Sequence, residues 1–323
     1  MIGAGWIAAQ HLERLGRREG VELAGICDVD RDRAAALAPD AAVHGDWREL
    51  LDREAPDAVF VCTPPLTHRE IAVAALERGV HTYLEKPIAR GLEDARAIVA
   101  AAAASGAVCA VGYQYRAIDV LDELRAALRG QELGLLMGVA TGPTKSRPWF
   151  LDRAQGGGNL LERASHQVDL ERAIGGEVRA VQAGGSAVAL AQSAGARGDI
   201  EDAAALLLHF ASGALGTVQV AWTRDGLPAR YALDAFATDA ALHLELDPEF
   251  RLSGRAGGAD LDAPMRAHPM ERTLDRFLEA ARRGARDAVF CTPADAAGTL
   301  AVVLACEAAL AGGGTVTVAS VAG

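Results

Sequence analysis

Three side chains that can handle protons are spaced along one segment in the second half of the chain. Glu162, His166 and Asp169 stand at i, i+4 and i+7, which places them on one face of a helix. Three glycines at 156–158 precede them and permit a tight turn into that helix. An imidazole is well suited to accept a proton near neutral pH, and Asp169 is placed to orient it. The segment therefore supplies His166 as a candidate base for a hydroxyl proton; a polar helix face with no chemistry is the alternative.

A second group of this kind is Lys86, which stands between Glu85 and Pro87 just after an apolar run. The proline ends the predicted strand and fixes the direction in which the chain leaves it. An ammonium held in a cleft of reduced dielectric lowers the cost of forming an alkoxide. We expect Lys86 to bind a reacting hydroxyl group, the alternative being an ordinary surface lysine.

A glycine loop at the start of the chain has the spacing of a dinucleotide-binding turn. Its residues are Gly3, Ala4, Gly5, Trp6, Ile7 and Ala8. Asp28 follows at the end of the next strand-like run, where a carboxylate can accept both hydroxyls of a ribose. The same carboxylate repels a 2′-phosphate, so the pattern favours NAD over NADP, a preference that nearby Arg31 and Arg33 can soften.

A further turn, Thr63-Pro64-Pro65, follows another strand-like run, with His68 three residues later. In open α/β sheets, ligands bind at the carboxyl ends of the strands. We therefore expect these four residues to contribute to the cofactor site, although a rigid turn without a ligand fits the same pattern.

The elements that position these groups are of two kinds. Over residues 1–115 short β-rich runs alternate with helical stretches, which predicts a Rossmann domain, a doubly wound parallel sheet. Over residues 116–323 consecutive strand-like runs predict an α+β domain with an open, mainly antiparallel sheet, and the segment 130–159 reads as a loop rich in Gly, Pro and Lys. The last two helices are free in this scheme to return to the first domain.

Only Met1 and Ile2 precede the glycine loop, although the first strand of such a sheet is central and usually about five residues long. We therefore expect the natural chain to start several residues upstream.

Composition excludes several classes of partner. With 32 Lys and Arg against 43 Asp and Glu the net charge is −11 at pH 7, which disfavours nucleic acids and anionic membrane surfaces. The start of the chain has no basic cluster followed by an apolar run, so we expect a cytoplasmic protein. The five cysteines and eight histidines show no ligand spacing, and no metal site is predicted.

Taken together, these motifs resemble the glucose–fructose oxidoreductase, inositol dehydrogenase and rhizopine catabolism family (Gfo/Idh/MocA). The resemblance covers nearly the whole chain and is most specific in Glu85-Lys86-Pro87 and in the three glycines followed by His166 and Asp169. It implies an N-terminal Rossmann domain, a C-terminal α/β domain, and NAD(P)-dependent oxidation or reduction of sugars, polyols and related compounds. It also implies homodimers or homotetramers formed through the open sheet.

The resemblance carries roles to particular residues. His166 takes the place of the family's general base, and Glu162 stands where the family typically has Asp, so its direct contact with the reacting hydroxyl is in question. Whether His166 or Lys86 takes the proton stays open. The remaining expected site residues are Glu85 and Gln114 for the cofactor, and Arg116, Arg147 and Trp149 for the substrate.

Two other activities fit the same residues. One is glycoside cleavage or elimination by transient oxidation with a retained NAD, without net redox change. The other is a dinucleotide- or sugar-sensing regulator without catalysis, which would not need both Lys86 and His166.

Overall fold

The computed structural model describes residues 1–143, 152–153, 156–187, 200–224, 226–247 and 249–321. The chain forms two compact units. The first comprises residues 1–113 and 270–297, and the second comprises residues 114–269 and 298–323.

The first unit has helices and strands in alternation, as the sequence predicts. Its helices are α1 (Trp6–Leu15), α2 (Arg31–Leu37), α3 (Trp47–Glu54), α4 (His68–Glu77) and α5 (Leu92–Ala104), together with residues 270–283 of α8 (Pro269–Arg283). Its strands are β1 (Gly25–Cys27), β2 (Ala42–His44), β3 (Ala58–Val61), β4 (His81–Leu84) and β5 (Cys109–Val111).

All the strand pairs of this unit are parallel among the described residues. β1 pairs with β2, β3 with β4, and β4 with β5. Ile2 joins the two groups, because it bridges to Cys27 on one side and to Val61 on the other. Its amide donates to Phe60 O at 2.8 Å, and its carbonyl accepts from Cys62 N at 2.7 Å. The carboxyl ends of β1, β3 and β4 therefore lie along the edge where the glycine loop begins.

The core beside this edge is aromatic. Phe60 and Tyr83 stack with ring centroids 4.9 Å apart, and Phe277 of α8 meets each ring edge-on at 5.5 Å. Aromatic pairs of this geometry add to the free energy gained from burial. The cluster fixes β3 and β4, the two strands that lead to the predicted cofactor residues.

The second unit is built on one large sheet. Its helices are α6 (Leu121–Leu128), a π-helix (Leu160–Ala164), α7 (Ser165–Gly175) and residues 298–312 of α9 (Pro293–Gly312). Its strands are β6 (Leu133–Pro143), β7 (Val178–Ser186), β8 (Ala203–Phe210), β9 (Leu215–Thr223), β10 (Arg230–Ala237), β11 (Ala240–Asp247), β12 (Arg251–Ala256), β13 (Ala259–Pro264) and β14 (Val316–Thr317). In the described part of the chain the order is β13-β12-β11-β10-β6-β9-β8-β7-β14.

The predicted fold class is confirmed, although several strands were not predicted. Every pair of this sheet is antiparallel except β6 with β9, which is parallel. The prediction of a loop after residue 129 was wrong over Leu133–Pro143, which is the eleven-residue strand β6. Its alternation is concealed because the less buried positions Leu135, Met137 and Val139 are apolar too. The predictions also omitted β2, β12 and β13, which are short or rich in Gly, Asp and Arg.

Helix α7 covers one face of this sheet. A Cβ atom on Gly138 of β6 or Gly216 of β9 would lie within 3 Å of the Glu171 carboxylate, so glycine at both positions lets the helix approach closely. The opposite face presents Met137, Leu215 and Phe236, each more than a third exposed.

Among the described residues one helix, α9, is long and apolar enough to cross a membrane by length and composition, with a mean hydropathy of 1.6. Since 61% of that stretch is buried within the protein, the helix has the burial of a core helix.

Candidate functional site

The glycine loop of the first unit has the geometry that a dinucleotide requires. Gly3 has φ +93°, and a Cβ atom there would lie 2.7 Å from the carbonyl carbon of Cys62, so no other residue fits. Gly5 begins α1 without a side-chain cap, the first turn holds no acidic residue, and a Cβ atom on Gly5 would meet nothing within 4 Å. An uncapped helix N-terminus beside open space fits a pyrophosphate.

Asp28 is held at the end of β1 by a set of donors. Its carboxylate accepts from Ala4 N at 2.7 Å, from Asp30 N at 2.9 Å and from Arg33 Nη2 at 2.5 Å. Burial opposes ionisation, but the hydrogen bonds from Arg33 and the two amides outweigh it and lower the pKa of Asp28. An ionised, fixed carboxylate at this position suits ribose hydroxyls, and the residues present therefore fit NAD.

The other predicted residues of the loop and of the β1 end are placed nearby in sequence and structure. Trp6 is 52% exposed at the start of α1, and Ile7 packs partly against the core. Arg31 is exposed and donates to Val43 O at 3.3 Å, whereas Arg33 pairs with Asp28. Arg33 is therefore the cation that shares the Asp28 carboxylate.

His68 is fully buried beneath the turn at residues 63–65. Its Nε2 atom lies 2.9 Å from Thr63 O and its Nδ1 atom 3.0 Å from Pro87 O. Burial lowers the pKa of His68 although these carbonyls favour the charged form. The ring thus joins the turn at Thr63 to the loop at Pro87, which is a positioning role that the sequence pattern did not distinguish from direct cofactor binding.

Glu85 has a partner that sequence reasoning missed. His11 of α1, 1% exposed, places Nε2 at 2.7 Å from Glu85 Oε1. The other oxygen accepts from Lys86 N at 3.2 Å, and a Cβ atom on Gly112 would lie 3.1 Å from it. Glu85 therefore connects α1 to the backbone at Lys86, whose side chain is partly buried. The sequence offered little indication of this contact, because a histidine at position 11 resembles any polar residue on the surface of a helix.

The second unit contains a cavity of about 310 Å³. It brings together Gln114, Glu162 and His166, three of the predicted site residues. Its other lining residues are Tyr115, Arg163, Trp222, Tyr231, Leu246, Phe250 and His268. Ligand pockets start at about 300 Å³ and combine aromatic walls with a few polar groups, so this cavity has the size and lining of a binding site for a small molecule.

The glycines at 156–158 position the polar residues of this cavity. Gly157 and Gly158 have φ +74° and +70°, and Cβ atoms there would lie 2.6 Å from Leu161 and 2.8 Å from Ile200. The helix then starts with the π-helical turn that contains Glu162, a feature often found at functional sites. His166 follows in α7, with its ring centroid 5.3 Å from that of Tyr115.

Asp169 does not have the role expected from spacing. Both its oxygens accept from Arg116, at 2.8 and 2.9 Å, and Oδ1 also accepts from Thr299 Oγ1 at 2.7 Å. Burial raises the pKa of Asp169 although the Arg116 guanidinium opposes this. The expectation that Asp169 orients His166 is therefore replaced by an ion pair between Asp169 and Arg116, a residue expected to bind substrate.

Two predicted residues, Arg147 and Trp149, lie outside the described residues. Of the cavity residues that sequence reasoning missed, Tyr115 and Arg163 are direct neighbours of the predicted Gln114 and Glu162. The others come from separate strands and loops, so no local spacing could have found them. Phe250 has a backbone φ of +43°, which is unusual for a residue with a bulky side chain.

Two family models match the chain. The model described as "Oxidoreductase family, NAD-binding Rossmann fold" matches residues 1–113, and the "GFO/IDH/MocA C-terminal domain" matches residues 123–258. The chain belongs to the GFO/IDH/MocA family of oxidoreductases, with an NAD-binding Rossmann domain at its N-terminus.

Two relatives are named for activities on a sugar derivative and on a polyol. The chain is 30% identical to the 1,5-anhydro-D-fructose reductase of Ensifer adhaerens over 233 residues, which are 69% of this chain and 68% of the relative. It is 30% identical to the myo-inositol 2-dehydrogenase of Thermotoga maritima over 223 residues, 68% of this chain and 66% of the relative. The alignments thus span about two thirds of these relatives' lengths.

Among solved structures, a levoglucosan dehydrogenase in complex with NADH and L-sorbose has a TM-score of 0.83 at 21% identity, covering 100% of this chain and 98% of that one. This likeness shows the fold. The predicted family, the fold class and NAD as the cofactor of the N-terminal domain are confirmed.

Proposed function

We propose that this protein is an NAD-dependent dehydrogenase or reductase that transfers a hydride between the cofactor and a CH–OH carbon of a sugar, a polyol or a related small molecule. The observation that carries the proposal is the cavity of about 310 Å³ in which His166, Glu162 and Gln114 lie beside the aromatic rings of Trp222 and Tyr231. Indole and phenol rings suit the apolar faces of a sugar, and the polar groups suit its hydroxyls.

His166 and Glu162 handle the substrate hydroxyl in this scheme. The imidazole of His166 removes the hydroxyl proton during oxidation and returns it during reduction. Glu162, one helical turn before it, accepts a hydrogen bond from a substrate hydroxyl. When bound, NAD supplies the nicotinamide ring that accepts or donates the hydride.

Lys86 supplies the positive charge. Its ammonium binds the reacting oxygen and the nicotinamide ribose and stabilises the developing alkoxide. The backbone of Lys86 is fixed by Glu85, which is itself fixed by His11 at 2.7 Å. This anchoring fixes the point of the backbone from which the side chain of Lys86 extends.

Of the remaining predicted residues, some contact the cofactor or the substrate and others hold those residues in place. We assign pyrophosphate contact to the loop from Gly3 to Ile7, and ribose contact to Asp28, so NAD is preferred over NADP. The turn Thr63-Pro64-Pro65 lines the cofactor site and His68 supports it. Arg116 acts through its ion pair with Asp169, while Arg147 and Trp149 stay proposed substrate residues.

We also propose a cytoplasmic homodimer or homotetramer that forms through the second unit's sheet. The support is the exposed apolar face opposite α7, where Phe236 pairs in register with Leu135 and Leu135 with Leu215. Exposed apolar groups that are contiguous usually mark an interface.

The experiment that tests the activity is a panel of aldoses and polyols incubated with NAD or NADP, followed by the absorbance of the reduced nicotinamide. We expect NADH formation with at least one member, faster than NADPH formation. Conversion of a glycoside without net NADH would instead indicate transient oxidation, and binding without conversion would indicate a sensor.

A further inference from the structure

Arg163 is a buried cation in the wall of the second-unit cavity, with 8% of its surface exposed. Its Nη1 donates to Gly142 O at 2.9 Å and to Ala221 O at 2.6 Å, and its Nη2 donates to Pro143 O at 3.0 Å. These bonds use three of the five N–H donors of a guanidinium. The carbonyl groups contribute dipoles and no full negative charge, so these three hydrogen bonds do not neutralise the cation.

Two other arginines of this unit, the buried Arg172 and the largely buried Arg116, have carboxylate partners. Arg116 pairs with Asp169 at 2.8 Å and Arg172 with Glu177 at 2.7 Å. No carboxylate of the described residues forms an ion pair with Arg163. Burial lowers the pKa of Arg163 even though Tyr231 and Glu162 oppose this. A buried charge is normally paired, so the missing anion requires an explanation.

The donors that Arg163 has left have a recognisable shape. Nε–H and the second Nη2–H lie along one edge of the planar guanidinium, and neither has a partner within the described part of the chain. Arg116 uses the same edge to hold both oxygens of Asp169, at 2.8 and 2.9 Å. That edge fits the two oxygens of a carboxylate, which it binds in a bidentate pair.

Resting on the proposed function, we propose that Arg163 recognises an anionic substrate, a sugar or polyol acid whose carboxylate binds along the Nε–Nη2 edge. The surroundings suit such a molecule, because the Tyr231 ring centroid lies 5.7 Å from Arg163 Cζ and Trp222 adds a second apolar wall. Glu162 and Arg163 are successive residues of the π-helical turn, so their side chains leave the backbone in different directions and serve different ends of the substrate. Glu162 and His166 take hydroxyls, and Arg163 takes the acid.

The direct test compares ligands of one shape that differ in charge. Wild-type protein saturated with NADH is titrated calorimetrically with D-glucuronate, D-glucose and glucose 6-phosphate. We expect glucuronate to bind at least about tenfold tighter than glucose, with an affinity that falls as KCl is added. Equal affinity for glucuronate and glucose, or tighter binding of the phosphate, overturns the proposal.

Variants locate the effect. Arg163→Gln is expected to weaken glucuronate binding by about 30-fold or more and glucose binding by less than about threefold, consistent with loss of a charge-assisted pair. Arg163→Lys keeps the positive charge but lacks the two parallel N–H donors of the guanidinium. Its affinity for glucuronate is expected to lie between those of the wild type and of Arg163→Gln. The control Arg125→Gln removes an exposed arginine of α6. An equal loss for both ligands in a folded Arg163→Gln protein means that the arginine only ties the strands together, and contradicts the proposal.

The two proposals fail separately. Calorimetry in the presence of NADH reads substrate recognition without turnover, whereas NADH formation from NAD reads the dehydrogenase activity. Turnover of neutral sugars without preference for acids removes the Arg163 proposal and leaves the activity. Tight binding of glucuronate without any NADH formation removes the proposed dehydrogenase activity and leaves the Arg163 proposal.

Discussion

At the scale of single residues, Asp28 is the carboxylate that we propose to select NAD over NADP. It accepts hydrogen bonds from two backbone amides and from Arg33, whose guanidinium is half exposed. In the proposed binding mode, removing the carboxylate also releases the guanidinium of Arg33, which Asp28 now pairs with, to attract the 2′-phosphate of NADP.

We predict that Asp28→Ser lowers the preference for NAD over NADP, measured as the ratio of the two kcat/KM values, by about 100-fold. A 100-fold change corresponds to about 2.8 kcal/mol, which is the size expected for losing hydrogen bonds to a charged group. The double variant Asp28→Ser, Arg33→Gln should lose the gain with NADP. Asp32→Ser, an exposed neighbour on α2, serves as the control. An unchanged ratio in Asp28→Ser would remove its assignment to the ribose.

Sequence alone could suggest those candidate site residues whose spacing is local. The glycine loop, Asp28, Lys86, Glu162 and His166 belong to short motifs in which neighbours along the chain serve one ligand. Arg163 gave no such signal, because its meaning depends on carbonyls from β6 and β9 that are adjacent only in the fold. The sequence also did not predict which buried groups pair with each other, as the ion pair between Asp169 and Arg116 shows.

At the scale of elements, α7 packs a carboxyl group into the sheet. Glu171 is fully buried, its Oε1 accepts from Gly138 N at 3.1 Å, and Oε2 faces Gly216. Burial raises the pKa of Glu171 well above 4.5, although the bond from Gly138 opposes this. The helix therefore packs best on the sheet while Glu171 is protonated.

The consequence for stability has a definite sign. Because the folded pKa exceeds the unfolded pKa, the contribution of Glu171 is complete below about pH 4.5 and is lost as pH rises through the folded pKa. The Glu171→Gln variant has no carboxyl group to ionise at this position and therefore keeps its stability as the pH rises. Between about pH 5.5 and pH 8, its free energy of unfolding should increase relative to that of the wild type by up to about 1.4 kcal/mol per pH unit. Urea denaturation at the two pH values measures it, with Glu19→Gln as the control. Parallel pH dependence in Glu171→Gln and wild type would contradict the account.

Elements were predictable where apolar and polar positions alternate with a clear period. The alternation of short β-rich runs with helical stretches over residues 1–115 predicted the parallel strands β1, β3, β4 and β5 and the helices between them. Strand β6 was missed because both its faces carry apolar residues, one facing α7 and the other lying on the exposed face. The same feature that hid β6 from prediction makes it a candidate interface.

At the scale of the whole molecule, the exposed apolar face predicts association. Phe236 is 41% exposed in the same lateral row as Leu135 and Leu215. We expect Phe236→Glu to shift the protein toward monomer in sedimentation velocity, because a buried carboxylate in an apolar interface is costly. The matched change Leu227→Glu, at an exposed apolar residue outside the strands, should leave the oligomer intact. A wild-type protein that sediments as a monomer at micromolar concentration refutes the interface.

The central claim is that Lys86 and His166 carry out the chemistry while the Rossmann domain holds the cofactor. It is tested most directly by measuring NADH formation and NAD affinity in Lys86→Ala and His166→Ala, with His209→Gln of β8 as the control. We predict a loss of turnover of about 10²-fold or more in both alanine variants, the range for removing a positioned acid–base group, with NAD affinity changed by less than about tenfold in His166→Ala. Turnover that stays at the wild-type rate in either variant would contradict the account.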